Sequence, residues 1–553
     1  MKAMNRKNAI SKTQLLLALI VAAMFVAPRA GAAVPGITGP TFNLTAQDAY
    51  LNQPDGSAVY SWGYGCNVAP SGHLPAAIAA FSCPTMQVPG PTLIVTEGQT
   101  VVVKLTNNLP AAAGNTSILF LGFQLQPFTD GVPGLLTQEA APGATVTYTF
   151  TASSPGTRSY YSGTQSDLQV EMGLYGAIVV LPKNVPFACT SGLAAANLTV
   201  EAAHSELDFR LSQAAYDNPK TCYDREYLFQ FAEMDANIHR QALGQVTAKA
   251  NCRPGAAGCS LEVPTEPYHP AYFLINGRSM PDDMDANFAT EYPHQPYNGN
   301  PHMHPGEQVL IRVIGQGRWE HPFHEHANHV RILARDGNLI LTPSGNNLAG
   351  MLMFTTDTFP GQTFDGIFYF TGRGLNWDGY GHHSGPDVGG APTDLNASLP
   401  CYPDANGYNT GFDPVTATLT HPEVRSAINY YEWCQDHNKP LQANPFGDVA
   451  GGGPATLPDP NILTNGAWYG GTPYLGSDAT LRAGNPACAG TASAGCTLLQ
   501  PANTQANPSI ERGWAFMWHS HNEREITTNN VFPGGMLMMM LVDTREFTID
   551  ESM

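Results

Sequence analysis

Short runs in which apolar and polar residues alternate, separated by Pro-Gly and Asp-Gly pairs, recur along this chain. Thr145-Val-Thr-Tyr-Thr-Phe150 has the period-two pattern of a half-exposed strand, and the Pro-Gly and Asp-Gly pairs mark turns between such strands. Strand-like segments at Pro91 to Leu105 and Ala177 to Leu181 bound a first β domain over 40–185. Tyr227-Leu-Phe-Gln-Phe231, Tyr272-Phe-Leu-Ile-Asn-Gly277 and Phe364-Asp-Gly-Ile-Phe-Tyr-Phe370 belong to a second, over 224–372, whose last strands return only at 511–546. A connector closed by Cys189 and Cys222 joins the two over 186–223. The insertion at 373–510 is rich in Gly, Pro, Asn and Thr, and such long loops in a compact domain serve as covers or binding elements unless disordered. One helix is expected in it, from about His421 to Asp436, because Thr420 and Glu423 form a capping box with Pro422 in the first turn.

Composition then narrows the setting. Lys2, Arg6, Lys7 and Lys12 precede the apolar run Leu15 to Ala27 and the small residues Ala30-Gly-Ala-Ala33, the pattern of a signal peptide over 1–32. That apolar run is too short to span a membrane, which takes about 20 residues. The expectation is an exported protein, periplasmic or extracellular, with no membrane span once the signal is cleaved. Cleavage removes five basic and no acidic residues, taking the formal charge from -19 to -24. Such acidity repels phosphate backbones and excludes nucleic acid as a partner. All ten cysteines follow the signal and pair locally as Cys66/Cys83, Cys189/Cys222, Cys252/Cys259, Cys401/Cys434 and Cys488/Cys496. Five disulfides formed in an oxidising compartment are the economical reading, since no Cys-x-x-Cys metal spacing occurs.

The chemistry concentrates in two clusters, His321-Pro-Phe-His324-Glu-His326 and Trp518-His519-Ser520-His521. On a strand, residues i and i+2 share a face about 6 to 7 Å apart, so each His-x-His pair points both rings one way. Two pairs on neighbouring strands would converge four imidazoles on one point, and imidazole suits copper, zinc, iron and nickel.

Gln308 to Gly315, the first cluster and Val330 to Gly337 together resemble the copper-ligand segment of the multicopper oxidase family. Trp514 to His521 with Pro533-Gly-Gly-Met536 is similar to that family's C-terminal ligand segment. Pro91 to Gly98, Thr129 to Gly134, Pro142-Gly143 and Gly173 to Val180 resemble its first domain. The resemblance implies an all-β fold of two cupredoxin-like Greek-key β-sandwich domains, the second carrying the insertion. It implies copper as cofactor, with His321, His324, His326, His519 and His521 as metal ligands. The chain departs from the family at other ligand positions: Leu119-Phe-Leu121 and Tyr161-Ser-Gly163 stand where His-x-His pairs belong, Ser520 replaces the type 1 copper cysteine, and Glu525 falls near that site's later histidine. A hydroxyl cannot replace the thiolate of a blue-copper site. The implied centre is therefore reduced, most simply one copper on three or four histidines, with Leu119, Leu121, Tyr161 and Gly163 as an apolar wall over it or as packed core.

Remaining candidates have plain readings beside them. His302-Met-His304 and His382-His383 read as loop histidines, Met536 to Val542 as a buried strand or a thioether source, and Tyr160 with Tyr161 as core aromatics. Glu325 should face away from His324 and His326. Three functions are carried forward: a copper oxidoreductase with a small-molecule or metal-ion electron donor, a non-catalytic copper-binding or partner-binding envelope module, and a zinc hydrolase with Glu525 as base. A homo-oligomer is compatible with each.

Overall fold

A computed structural model describes residues 34–74, 83–126, 137–190, 210–370 except 254, 304–306 and 346, the short strands 412–413, 418–419 and 471–474, and 513–543 with 549. The first domain is built from Thr41–Asn52 (β1), Ala58–Cys66 (β2), Gly90–Thr96 (β3), Thr100–Asn107 (β4), Thr145–Thr151 (β5), Gly156–Tyr161 (β6) and Tyr175–Leu181 (β7). One sheet runs β2-β1-β4-β5, and the facing sheet sets β7 between β3 and β6. The parallel pairs β1 with β4 and β3 with β7 require crossovers between the sheets, the mark of a sandwich rather than a meander. Phe42, Trp62, Tyr64, Val103, Phe150, Tyr160 and Ile178 fill the space between them.

The second domain repeats the plan. Arg225–Met234 (β8), Tyr272–Ile275 (β9), Gln308–Gly315 (β10), His321–Glu325 (β11), Val330–Arg335 (β12), Thr355–Thr358 (β13), Thr363–Tyr369 (β14), Gly513–Ser520 (β15) and Leu537–Asp543 (β16) form sheets ordered β9-β8-β10-β14-β12 and β16-β15-β11-β13. Their inner faces bury Phe229, Phe231, Val313, Phe323, Phe364, Phe368, Phe516 and Trp518. Met536, Met538 and Met540 lie in the same core at 0% exposure, so these three methionines serve as packing. The fold is all-β, as expected.

Three features go beyond the sequence reading. Ala236–Ala248 (α1) is a helix opened by Asp235, whose carboxylate accepts from the Asn237 N–H, and it lays Ile238 and Ala242 on the first-domain core. The strand Gly471–Tyr474, from inside the insertion, pairs antiparallel with the start of β15, so the last strands do not begin only at 511. Cys66–Cys83, Cys189–Cys222 and Cys252–Cys259 are disulfides, while the two remaining pairs and the 421–436 helix lie outside the described residues. Among the described residues no helix is long and apolar enough to cross a membrane.

The two domains are joined by a buried polar knot. Arg312 on β10 bonds Glu226 on β8 at 2.9 Å and Thr157 on β6 at 3.2 Å, and it sits 3.7 Å from Asp365 on β14. Thr157 in turn donates to Asp365 at 2.5 Å. Removing the cation strands two buried carboxylates, so Arg312→Met should lower stability by about 3–5 kcal/mol. A shifted urea midpoint at unchanged slope would show it; a midpoint equal to wild type would mean those carboxylates need no counter-charge.

Candidate metal centre

The cluster is assembled by strand register. Phe323 opposes Ser520, His324 opposes His519 and Glu325 opposes Trp518 in the antiparallel β11–β15 pair. Opposed residues share a face, so His324 and His519 stand side by side, and His326 joins them two residues on. Ring centroids lie 4.9 Å (His324–His326), 5.4 Å (His324–His519) and 5.3 Å (His326–His519) apart. One nitrogen from each of these three can be chosen so that all lie within 4.8 Å of one another. His521 stays close, with its ring 4.9 Å from that of His324, but its side chain is 52% exposed and leans toward Glu523 at 3.7 Å.

Neighbouring polar groups orient the rings. His519 Nδ1 donates to the Ser520 carbonyl at 2.7 Å, which puts the proton on Nδ1 and the lone pair on Nε2. His324 Nδ1 meets the Thr355 hydroxyl at 2.6 Å. Burial and the adjacent imidazoles His326, His519 and His521 press the His324 pKa down to about 4. Burial likewise lowers His519, the Ser520 carbonyl partly opposing it. These rings are neutral near pH 7, the state in which imidazole binds a metal. Donor type, spacing and protonation therefore fit a borderline-soft cation.

His321 does not join them. It projects from the inner face of the same strand, where its Nδ1 lies 2.8 Å from Glu525 and its Nε2 3.0 Å from Glu233. Both ring nitrogens are spent on carboxylates, so the expected ligand role is corrected to that of a buried cation. Burial alone would depress its pKa, but the hydrogen bonds to Glu233 and Glu525 hold it up at about 9. Ser520 donates to the same Glu525 oxygen at 2.5 Å, and Asn522 Nδ2 reaches the other at 2.9 Å. Glu233 also accepts from the backbone of Arg318 and Trp319 at 2.7 and 2.9 Å. That approach requires Gly317: its φ is +68°, and a Cβ there would lie 2.4 Å from the Glu233 carboxylate.

The other sequence candidates separate cleanly. Glu525 is tied to the inner face, away from the imidazoles, which removes the base required by the zinc-hydrolase reading. Glu325 faces inward as expected, fully buried, with neither carboxylate oxygen hydrogen-bonded, and burial raises its pKa well above the usual range. His302 bonds Asn300 and opposes Leu541, apart from the cluster; His304, His382 and His383 lie outside the described residues. Tyr160 is core, donating to the Pro91 carbonyl at 2.7 Å. Leu121 and Tyr161 sit against the turn at Gly361, which follows β13 beyond Thr358, the partner of His321. His324 pairs with Thr355 at the other end of β13. Thr355 and Glu233 were missed in the sequence, since neither has a local signal that assigns it to the site.

With this geometry in hand, the multicopper oxidase profile matches residues 79–185. Residues 79–185 are thus similar to a multicopper oxidase domain. Multicopper oxidase MCE of Talaromyces pinophilus is 41% identical over 107 residues, 19% of this chain and 17% of that protein. Copper resistance protein A of Pseudomonas syringae pv. tomato is 41% identical over 96 residues, 17% of this chain and 15% of that protein. The chain thus matches under a fifth of these relatives' length. Among solved structures, a multicopper oxidase titled mgLAC aligns over 91% of this chain and 86% of its own at 14% identity, with a TM-score of 0.43. The profile match falls in the first domain, whereas His324, His326 and His519 lie in the second.

The His321 pKa has a thermodynamic consequence of definite sign. Raised in the folded state above the unfolded value of about 6.5, it contributes stability that is fully present below pH 6.5 and lost as pH rises through about 9. The urea-midpoint advantage of wild type over His321→Gln should therefore shrink between pH 6.5 and 9.5. A difference that stays constant across that window would show that the ring is not protonated.

Proposed function

We propose that this chain is an exported copper-binding oxidoreductase of multicopper oxidase type, working with a reduced, mononuclear centre on His324, His326 and His519, with His521 at its edge. The observation that carries the reading is the convergence of three imidazoles on one face of the β11–β15 pair. The names of the relatives, multicopper oxidase and copper resistance protein A, favour copper among the metals imidazole suits. Bound there, copper would supply a one-electron couple between its +2 and +1 states.

The chain's own residues define what such a centre could do. The carbonyl of Ser520 and the hydroxyl of Thr355 hold two of the rings by their Nδ1 atoms and thereby aim them. With no thiolate at position 520, the colour and rapid electron transfer of a type 1 site are not expected. The exposed His521 and the half-exposed Phe354, whose ring lies 5.7 Å from that of His324, leave the centre open to a small donor, either an organic molecule or a metal ion. The apolar run after the basic N-terminus and the three disulfides support export.

A second reading, a copper-binding or partner-binding module without turnover, is favoured by one observation. Leu119, Leu121, Tyr161 and Gly163 supply no ligand from the first domain.

Copper analysis with electron paramagnetic resonance tests the first reading. Protein exported under copper supplementation should hold about one copper per chain, with a type 2 signal and no intense blue band, and His326→Ala and His519→Ala should each abolish it. Copper retained by both variants would sink the site. A loaded wild type that fails to oxidise a phenol, a diamine or Mn(II) in air would leave the second reading standing.

A further inference from the structure

The inner face of the ligand-bearing sheet carries a buried ionic bridge that the proposed centre does not use. Glu233 comes from the end of β8 in the opposite sheet, His321 opens β11, Ser520 ends β15 and Glu525 lies in the turn beyond it. Glu233, His321, Ser520 and Glu525 are buried at 3% exposure or less. A neutral imidazole has one N–H and could serve only one of two carboxylates; the contacts at 2.8 and 3.0 Å demand both protons. The trio is therefore carboxylate, imidazolium, carboxylate. Tyr268 extends it: its hydroxyl donates at 2.6 Å to Glu171, a first-domain residue, and lies 3.2 Å from Glu233. Glu233 and Glu525 stand on opposite sides of the ring, so their oxygens do not converge with it on one cation.

What this bridge spans is the seam that brings the imidazoles together. The β11–β15 ladder comprises three residue pairs, extended by backbone bonds from His326 to Met517 and from His521 to Pro322. A slip of one residue would turn His324 or His519 to the inner face, so the separation of the imidazoles depends on this offset. Ser520, opposite Phe323, and His321, two residues before Phe323, are gripped by the same Glu525 oxygen. That shared contact pins one strand to the other at a fixed offset.

We infer that Glu233, His321 and Glu525 are positioning residues for the three-imidazole centre: their bridge on the inner face fixes the β11–β15 offset and so the separation of His324 and His519 on the outer face. The inference rests on the reading of those imidazoles as a metal centre, but its decisive measurement needs no metal. In metal-free protein labelled with ring-15N histidine, wild type should show a signal with both ring nitrogens protonated at pH 7.5 that is assigned to His321 by its loss in His321→Gln. Glu525→Gln and Glu233→Gln should shift the ring signals of His324 and His519 while the far-ultraviolet circular dichroism is unchanged. Glu525→Asp should restore part of the wild-type pattern. Ser520→Ala deletes one hydrogen bond and keeps the charges, so it is the milder probe should the charge variants not fold, with the same ring signals expected to move.

Copper titration of the soluble variants adds the functional readout, an apparent Kd raised about tenfold or more in Glu525→Gln. Ring signals of His324 and His519 that stay at their wild-type positions after the doubly protonated signal is lost would overturn the inference. Wild-type protein that binds no copper would overturn the proposed function instead, while the metal-free spectra would still decide whether the bridge positions the rings.

Discussion

The opposition of His324 to His519 across the β11–β15 pair is the constraint on which the site depends. Strand alternation does the rest. With those two residues facing outward, Phe323, Glu325, Trp518 and Ser520 must face inward, and each inward position is then answered by the core in a different way. Phe323 and Trp518 join an aromatic cluster with Phe229, Phe231 and Phe368, whose rings meet at centroid distances from 4.9 to 6.3 Å. Ser520 is bonded to Glu525, while Glu325 is left with no partner and is held neutral. One register thus decides at once which histidines can share a metal and which polar side chains must be accommodated in the interior.

Much of this was legible because period-two patterns carry facing directly. The two His-x-His pairs, the inward aim of Glu325 and the two β domains follow from alternation and turn chemistry. His321 misled because it lies three residues from His324, an odd offset that places it on the other face of a regular strand. The resemblance assigned it a ligand role, and alternation alone argued against its sharing a point with His324 and His326. What it meets there was not legible: Glu233 is 88 positions away in sequence, on the facing sheet. Helix α1 had a local signal in Asp235 followed by Ile238 and Ala242, but it lies between strand-like segments that dominate the pattern. The strand at 471–474 is set by pairing with β15, which no local feature of Gly-Thr-Pro-Tyr announces.

The similarity to multicopper oxidases and the imidazole cluster occupy different parts of the chain. The profile match over 79–185 lies in the first domain, which also carries Leu119, Leu121, Tyr161 and Gly163. That domain keeps its packing: Tyr160 is buried against Pro91, and Leu121 and Tyr161 close on the Gly361 turn. In the second domain His324 and His519 are themselves buried, at 3% and 5% exposure, on the opposite face of the strand pair from Phe323 and Trp518.

The inner bridge has the opposite economics. Burying two carboxylates and an imidazolium carries a desolvation cost that their mutual attraction offsets only when the remaining hydrogen-bond capacity is also met. Here it is met: Glu233 receives the backbone N–H groups of Arg318 and Trp319, and Glu525 receives Ser520 and Asn522. An apolar trio of similar volume would have packed as well and lost nothing in net stability. What an apolar trio could not supply is direction. Charge-assisted bonds fix donor and acceptor to within a few tenths of an ångström, whereas hydrophobic contacts tolerate sliding along a strand. Such a bridge therefore makes most physical sense behind a seam whose offset matters, and the seam it backs is the one that sets His324 beside His519.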